Sequence, residues 1–255
     1  MIGKLIYSTN SSREKVEKLQ QKIRDEEWKF LIEEIPVNAH FLDVGCGAGY
    51  AMARAFSDKN CAVVGIDPEP GSHGVGRFIK ELVSVSTIQK GFAENLPFED
   101  QKFDVVFSSH VLEHVEEEIQ SLQEMKRVLK NDGILIIGMP TATMAWVNLL
   151  STVLFTTHIK IYEFARSIFT RNLLKNLIRI FRVSSHSYPR ANSIWYDIKH
   201  YRVENWKKTL EKEFLIEKTI LPCLYPYPDY PQFFKLHRSK SVSSSVFFVC
   251  RKKII

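Results

Sequence analysis

Three groups of residues have types and spacings that chemistry can use. The first is Asp43-Val-Gly45-Cys-Gly47-Ala-Gly49, alternate glycines headed by an acid. Glycines at a strand-to-helix turn let backbone approach a ligand closely. The leading carboxylate would repel a phosphate, so a cationic ligand suits the loop better. The second is Asp67, 22 residues past Gly45, where a carboxylate can take both hydroxyls of a ribose. The third is His110, Glu113 and His114, spaced i, i+3 and i+4. On a helix that spacing gathers all three on one face. His114 is the candidate general base, because an imidazole titrates near neutral pH.

The elements that must position these residues read as an α/β chain. Ser12 to Ile35 has a helical period, with Val16, Leu19, Ile23, Phe30 and Leu31 as its apolar stripe and Pro36 as its stop. Phe41–Val44 is a strand, the glycine turn follows, and a helix runs through Phe56. Ala62–Ile66 is a second strand ending at Asp67, and Ser86–Gln89 a weaker third. Phe103–Phe107 is a fourth, with Asp104 near its start and a helix expected to begin near His110 and continue over Glu116–Leu129. Asn131-Asp-Gly133 is expected to turn into strand five. Val203–Glu213 reads as helix, and Leu215–Leu221 and Ser245–Arg251 as strands. Strand and helix alternating at this spacing predict a doubly wound sheet with ligands at the carboxyl ends of its strands.

A dinucleotide-binding loop would place its third glycine at Tyr50; here it falls one residue early, at Gly49. With Asp43, the Ala93-Glu-Asn-Leu-Pro-Phe98 segment and the Ser108-Ser-His-Val-Leu-Glu-His-Val115 stretch, the sequence resembles the class I S-adenosylmethionine-dependent methyltransferases. It is most similar to the type 11 and ubiquinone-biosynthesis O-methyltransferase groups, over about Phe41 to Pro140 plus the tail strands. The resemblance implies a Rossmann-like seven-stranded sheet with a helical insert after strand five. It implies S-adenosylmethionine as methyl donor and S-adenosylhomocysteine as product. Asp43, Gly45 and Gly47 would hold the methionine part, Asp67 the ribose, and Ala93 would offer backbone to the adenine. Gly49, Pro68, Glu94 and Ser109 complete the expected cofactor contacts. The family often has Asp where this chain has Phe92, so Glu94 or backbone must serve the adenine amino group instead.

Some members of the family, among them small-RNA 2′-O-methyltransferases, resemble the 110–114 stretch with ExxEH and bind a divalent cation there. Here the first carboxylate is replaced by His110, which weakens the case for magnesium, a cation that prefers oxygen. A metal at this site stays open. Methyltransferases acting on DNA amino groups resemble one another in a Pro-Pro-aromatic stretch after strand four, and cytosine-C5 enzymes in a Pro-Cys pair. Ser108-Ser-His110 is neither, which argues against base methylation and against a nucleic-acid partner.

The 255 residues suffice for one large domain and a sizeable core. The net charge of +6 conceals an asymmetry. Residues 1–140 hold 16 Lys/Arg against 22 Asp/Glu, a net of −6, and residues 141–255 hold 19 against 7, a net of +12. No signal peptide is expected from Met1 to Asn10, nor a lipidation site. Cys46, Cys61, Cys223 and Cys250 lack CxxC spacing and read as reduced thiols of a cytoplasmic protein. The longest stretch free of Asp, Glu, Lys and Arg, Gly133 to Ile159, contains Pro140 and many hydroxyl residues and reads as a buried strand and its continuation, not as a membrane span.

The expected organisation is an N-terminal helical segment (1–38), a cofactor-binding core (39–140), a basic and apolar helical insert (141–200), and a helix with strands completing the core (201–255). In the insert, Ile161, Phe164, Ala165 and Ile168 share one face, and Leu173, Leu174, Leu177, Ile178 and Phe181 another. Arg171, Lys175, Arg179 and Arg182 form a basic stripe opposite the second. A lid over the site is favoured, and peripheral contact with an anionic membrane is compatible with it. Together these readings point to methyl transfer to a small or lipid-linked acceptor, at oxygen. The alternative is a non-catalytic membrane-surface or RNA-binding protein on the same scaffold. The acceptor and the oligomeric state are not legible.

Overall fold

The computed structural model describes residues 10–72, 74, 86–151, 193–225 and 241–253. It begins with α1 (Asn10–Leu31) and a 3-10 turn (Ile32–Glu34). Then come β1 (His40–Val44), α2 (Tyr50–Lys59), β2 (Ala62–Asp67), β3 (Ser86–Lys90), β4 (Phe103–Ser109), α3 (Glu118–Val128) and β5 (Leu129–Pro140). Residues 142–151 are helical (α4). After α5 (Ile194–His200) and α6 (Val203–Leu210), β6 (Phe214–Ile220) and β7 (Ser245–Lys252) close the fold.

The seven strands form one sheet in the order β3-β2-β1-β4-β5-β7-β6. The first five are parallel, and β7 is antiparallel to both β5 and β6. Side chains alternate across a strand, so each central strand feeds both layers. Leu42, Val106, Leu135 and Phe248 pack on one side with Leu122, Met125, Trp206 and Leu210 from α3 and α6. Phe41, Val105, Ile136 and Phe247 pack on the other with Trp28, Leu31, Met52 and Ala55 from α1 and α2. Burial on both faces explains why these strands read as apolar runs. Chain order reverses direction between β1 and β4, and a crevice opens there at the carboxyl ends of the strands.

Three local expectations are corrected. No helix begins at His110: residues 110–117 form a turn, and helix starts at Glu118. His110 is left-handed, with φ 57°, which a helix cannot accommodate. Second, β5 already begins at Leu129, and Asn131-Asp-Gly133 is a bulge inside it. Phe103 pairs with Leu129 and Val105 with Ile134, so Lys130 to Gly133 loop out of register. Third, in α1 Phe30 is exposed, and Trp28 takes its place in the core. The Trp28 indole donates to Asp58 Oδ2 at 2.9 Å.

Asp104 lies at the opposite end of the sheet from the crevice. It accepts from the His40 amide at 2.8 Å and pairs with Lys130 Nζ at 2.6 Å. Burial works against its charge, but those two donors outweigh it and hold the carboxyl low. The two helical faces expected over 161–181, the basic stripe from Arg171 to Arg182 and most of the Tyr/Pro-rich loop lie outside the described residues. Among the described residues no helix is long and apolar enough to cross a membrane.

Candidate active site

The loop after β1 turns on three left-handed glycines: Gly45 (φ 77°), Gly47 (φ 48°) and Gly49 (φ 84°). Gly45 is glycine for a second reason. A Cβ there would lie 2.2 Å from Val111 Cγ2, so the loop and the turn after β4 touch. The Gly45 and Cys46 amides both donate to Ile66 O, at 2.7 and 3.2 Å. Asp67 completes the tie, because its Oδ2 accepts from the Gly47 amide at 2.9 Å and its Oδ1 from the Glu69 amide at 2.8 Å. Asp67 therefore shapes the loop as well as facing the crevice. Each of its oxygens retains acceptor capacity, since a carboxylate offers about four lone-pair sites.

Asp43 is buried, only 3% exposed. Burial and, after it, the charge of Asp67 push its carboxyl up to about 8. Two acids forced together in a poorly solvated place are relieved by a cation. A bound ammonium or sulfonium would supply one, so the donor set fits the cationic methionine end of S-adenosylmethionine. The opposite wall carries Phe92, 60% exposed, and the buried Ala93. Glu94 lines it too; its Oε1 accepts from the Glu116 amide at 3.1 Å.

All these groups border one cleft of about 1320 Å3, more than a single ligand of ordinary size fills. Of the residues singled out in the sequence, Asp43, Gly45, Gly47, Asp67, Pro68, Ala93, Glu94, Ser109, His110 and His114 line it. Gly49 instead caps α2, and Glu113 sits behind the wall with its side chain fully buried. The 110–114 residues do come together, through a turn in which the His114 amide donates to Val111 O at 2.8 Å. Glu113 Oε1 lies 3.3 Å from His110 Nδ1 and 4.0 Å from His114 Nε2. His110 is no ordinary imidazole: burial and then the charge of Arg24 press its pKa down to about 3. It stays neutral at every physiological pH. His114 keeps 39% of its side chain open. Among the described residues no three His, Cys, Asp or Glu side chains form a metal-holding group.

Sequence reasoning missed the contribution of α1. Gln20, Ile23, Arg24, Glu27, Trp28 and Leu31 all line the cleft. Their spacing is one continuous helical face. The available signal was charge on that face: Arg24 and Glu27 sit in phase with Ile23, Trp28 and Leu31 where a core-facing stripe should be apolar.

A family profile described as Methyltransferase domain matches residues 42–137, the stretch from β1 into β5 that builds this cleft. Over that stretch the chain is similar to the methyltransferase domain family. An uncharacterised methyltransferase of Mycobacterium tuberculosis is 37% identical over 112 residues, 44% of this chain and 43% of its own length. The methyltransferase match therefore spans less than half of that relative. Among solved structures, a SAM-dependent methyltransferase from Aquifex aeolicus aligns with 94% of this chain and 98% of its own, with a TM-score of 0.54 and 15% identity. The cyclase SpnF aligns with 90% of this chain and 82% of its own, with a TM-score of 0.56 and 16% identity. These likenesses show that the methyltransferase fold extends over nearly the whole chain, and the fold alone.

Proposed function

We propose that this protein transfers a methyl group from S-adenosylmethionine to a hydroxyl oxygen of a small or lipid-linked acceptor. One observation carries the reading. Asp43 and Asp67, at the ends of neighbouring strands, share a cleft with the His110–His114 turn that follows β4. The cofactor would supply a methyl group already activated by its sulfonium. What remains for the chain is to hold the acceptor oxygen in line, exclude water and remove a proton.

His114 is the group suited to the proton. It faces the cleft, and Glu113 lies behind it to favour the imidazolium once formed. His114 would take the acceptor O–H proton as the oxygen receives the methyl group that the sulfonium would supply. His110, held neutral, is a poor base and serves as a hydrogen-bonding neighbour. Asp43 and the loop amides would receive the methionine end, Asp67 the ribose hydroxyls, and the Phe92–Glu94 wall the adenine. We extend the reading to a cytoplasmic protein that touches the membrane peripherally through 141–200. The basic stripe of the insert is its support, in sequence only.

Calorimetry with S-adenosylhomocysteine tests the core of this reading. Binding in the micromolar range is expected, and Asp67→Ala should weaken it by at least about tenfold, since it removes charge-assisted hydrogen bonds. No binding to the folded wild-type protein, or an unchanged affinity in the variant, would sink the proposal.

A further inference from the structure

The acids and the donors of the inner cleft lie at different depths. Glu27 is 2% exposed and both its oxygens are engaged: Oε2 with Arg24 Nη1 and Oε1 with the Ser245 hydroxyl, 2.5 Å away. Glu113 is likewise fully covered. Glu27 lines the cleft with both oxygens engaged, so the capacity left on this wall belongs to donors. Arg24 leaves 30% of its side chain open, and among the described residues Glu27 is its one ion-pair partner. The remaining guanidinium N–H groups are therefore available to a ligand. Burial works against the Arg24 charge, and Glu27, with Tyr225 and Glu113 behind it, more than restores it.

Tyr225 stands beside this pair, 5% exposed and lining the same cleft. Its hydroxyl is buried near Ser245 yet makes no hydrogen bond of acceptable geometry among the described residues. A buried phenol without an acceptor is costly unless something else brings one. Guanidinium and phenol on one wall both ask for an acceptor oxygen.

We infer that Arg24, with Tyr225 beside it, anchors a carboxylate group on the methyl acceptor. A guanidinium fork matches a carboxylate in a planar, bidentate way. Among anions, the charge balance favours a monoanion over a dianion. Arg24 and Glu27 already neutralise each other, so a monoanion leaves one uncompensated charge in a buried place, and a phosphate dianion would leave two. A cationic acceptor would meet Arg24 as a like charge, with both Glu27 oxygens already engaged. The anchor lies on the same cleft as the His110–His114 turn, and the Arg24 charge is felt at the His110 imidazole. The inference rests on the methyltransferase reading and names its acceptor class.

Calorimetry on the S-adenosylhomocysteine-loaded protein, with benzoate, benzamide and phenyl phosphate as probes, tests it. Benzoate should bind at least about tenfold more tightly than its neutral isostere benzamide, the scale of a charge-assisted pair. Arg24→Gln should erase that preference while leaving S-adenosylhomocysteine affinity within twofold. Arg24→Lys, which keeps the charge and the Glu27 pair but loses the fork, should retain part of the preference and covers the case of a poorly folded Gln variant. Tyr225→Phe should weaken benzoate and leave benzamide unchanged. Equal binding of benzoate and benzamide, or a preference that survives Arg24→Gln, overturns the inference and leaves the methyltransferase reading standing. Phenyl phosphate binding more tightly than benzoate overturns the carboxylate assignment. Failure of the wild-type protein to bind S-adenosylhomocysteine removes both readings.

Discussion

The two ends of the cleft are built on opposite electrostatic plans. At the end of β1 and β2 the acids face inward: Asp43 is buried and pushed up to about 8, with Asp67 beside it. At the end formed by α1 and β7, Glu27 is covered with both oxygens engaged, while Arg24 and Tyr225 keep donor capacity. In the turn after β4 the notable shift runs the other way, with His110 pressed down to about 3. Burial is the first cause of both. Its effect differs in sign because it penalises whichever form is charged, the deprotonated acid in one case and the protonated imidazole in the other. A cleft with an electron-rich end and an electron-poor end is suited to two ligands of unlike charge.

The glycine loop and the turn after β4 touch where Gly45 meets Val111, and the largest expected effect comes from breaking that contact. Gly45→Ala introduces a Cβ 2.2 Å from Val111 Cγ2 at a φ of 77°. The left-handed backbone alone costs about 1–2 kcal/mol for an L-residue, and the clash adds to that. We expect S-adenosylhomocysteine affinity to fall by at least about a hundredfold, or the fold to melt early, as read by calorimetry and circular dichroism. Gly45→Ala with Val111→Ala relieves the clash and not the φ strain, so it should recover part of the loss. No recovery would show that the contact does not couple the two ends.

Next in size is Asp43→Asn. Removing the carboxylate should weaken S-adenosylhomocysteine by roughly ten- to a hundredfold, the scale of a buried charge-assisted interaction. It should also change stability in the opposite direction. The folded pKa near 8 lies above the unfolded value of 3.8, so between those values the folded state holds more protons. Stability from this group is therefore full below about pH 4 and is lost as pH rises towards 8. The Asn variant should melt higher than wild type at pH 8 and bind cofactor product worse. A lower melting temperature at pH 8 would refute the assignment of Asp43 as a strained, ligand-directed acid.

The acid-lined end was legible in the sequence and much of the donor-lined end was not, for physical reasons. Gly45, Gly47 and Gly49 announce a turn because few other residues adopt positive φ, and Phe41–Val44 and Ala62–Ile66 announce strands because they are buried on both sides. The turn at 110–117 was misread because i, i+3, i+4 spacing also fits a single non-helical turn, and a left-handed His110 carries no signature in residue type. The insertion of Arg24 and Glu27 into the cleft was hidden because charged residues on a helix are ordinarily solvated. Only the neighbours Ile23, Trp28 and Leu31, in phase with them, hint otherwise.

His110→Gln sharpens the comparison from the other end, with a smaller effect. The folded pKa near 3 lies below the ordinary 6.5. The unfolded state thus binds the extra proton first, and stability is lost as pH falls from 6.5 towards 3. The variant should flatten that acid limb in thermal melts and leave the region from pH 7 to 8, where Asp43 dominates, unchanged. A change confined to the alkaline side would contradict the division of the cleft.

The smallest expected effect is Arg127→Ala, which probes the Phe92–Glu94 wall through its support. Arg127 spans the loop before β4, donating to Leu96 O and Phe98 O at 2.8 and 2.7 Å and pairing with Glu124 and Asp100. Glu124 in turn accepts from the Leu96 amide at 2.8 Å. The clamp is partly exposed, so its ion pairs count for little, and its value lies in fixing the segment that continues into Ala93 and Glu94. A loss of a few degrees in melting temperature and about a two- to threefold weakening of S-adenosylhomocysteine are expected. The preference for benzoate over benzamide should not move, since Arg24 and Tyr225 share no partner with this loop. If that preference falls together with cofactor affinity, the two ends are coupled through more than the Gly45–Val111 contact, and the separation of acid and donor walls is a property of the whole cleft rather than of its two ends.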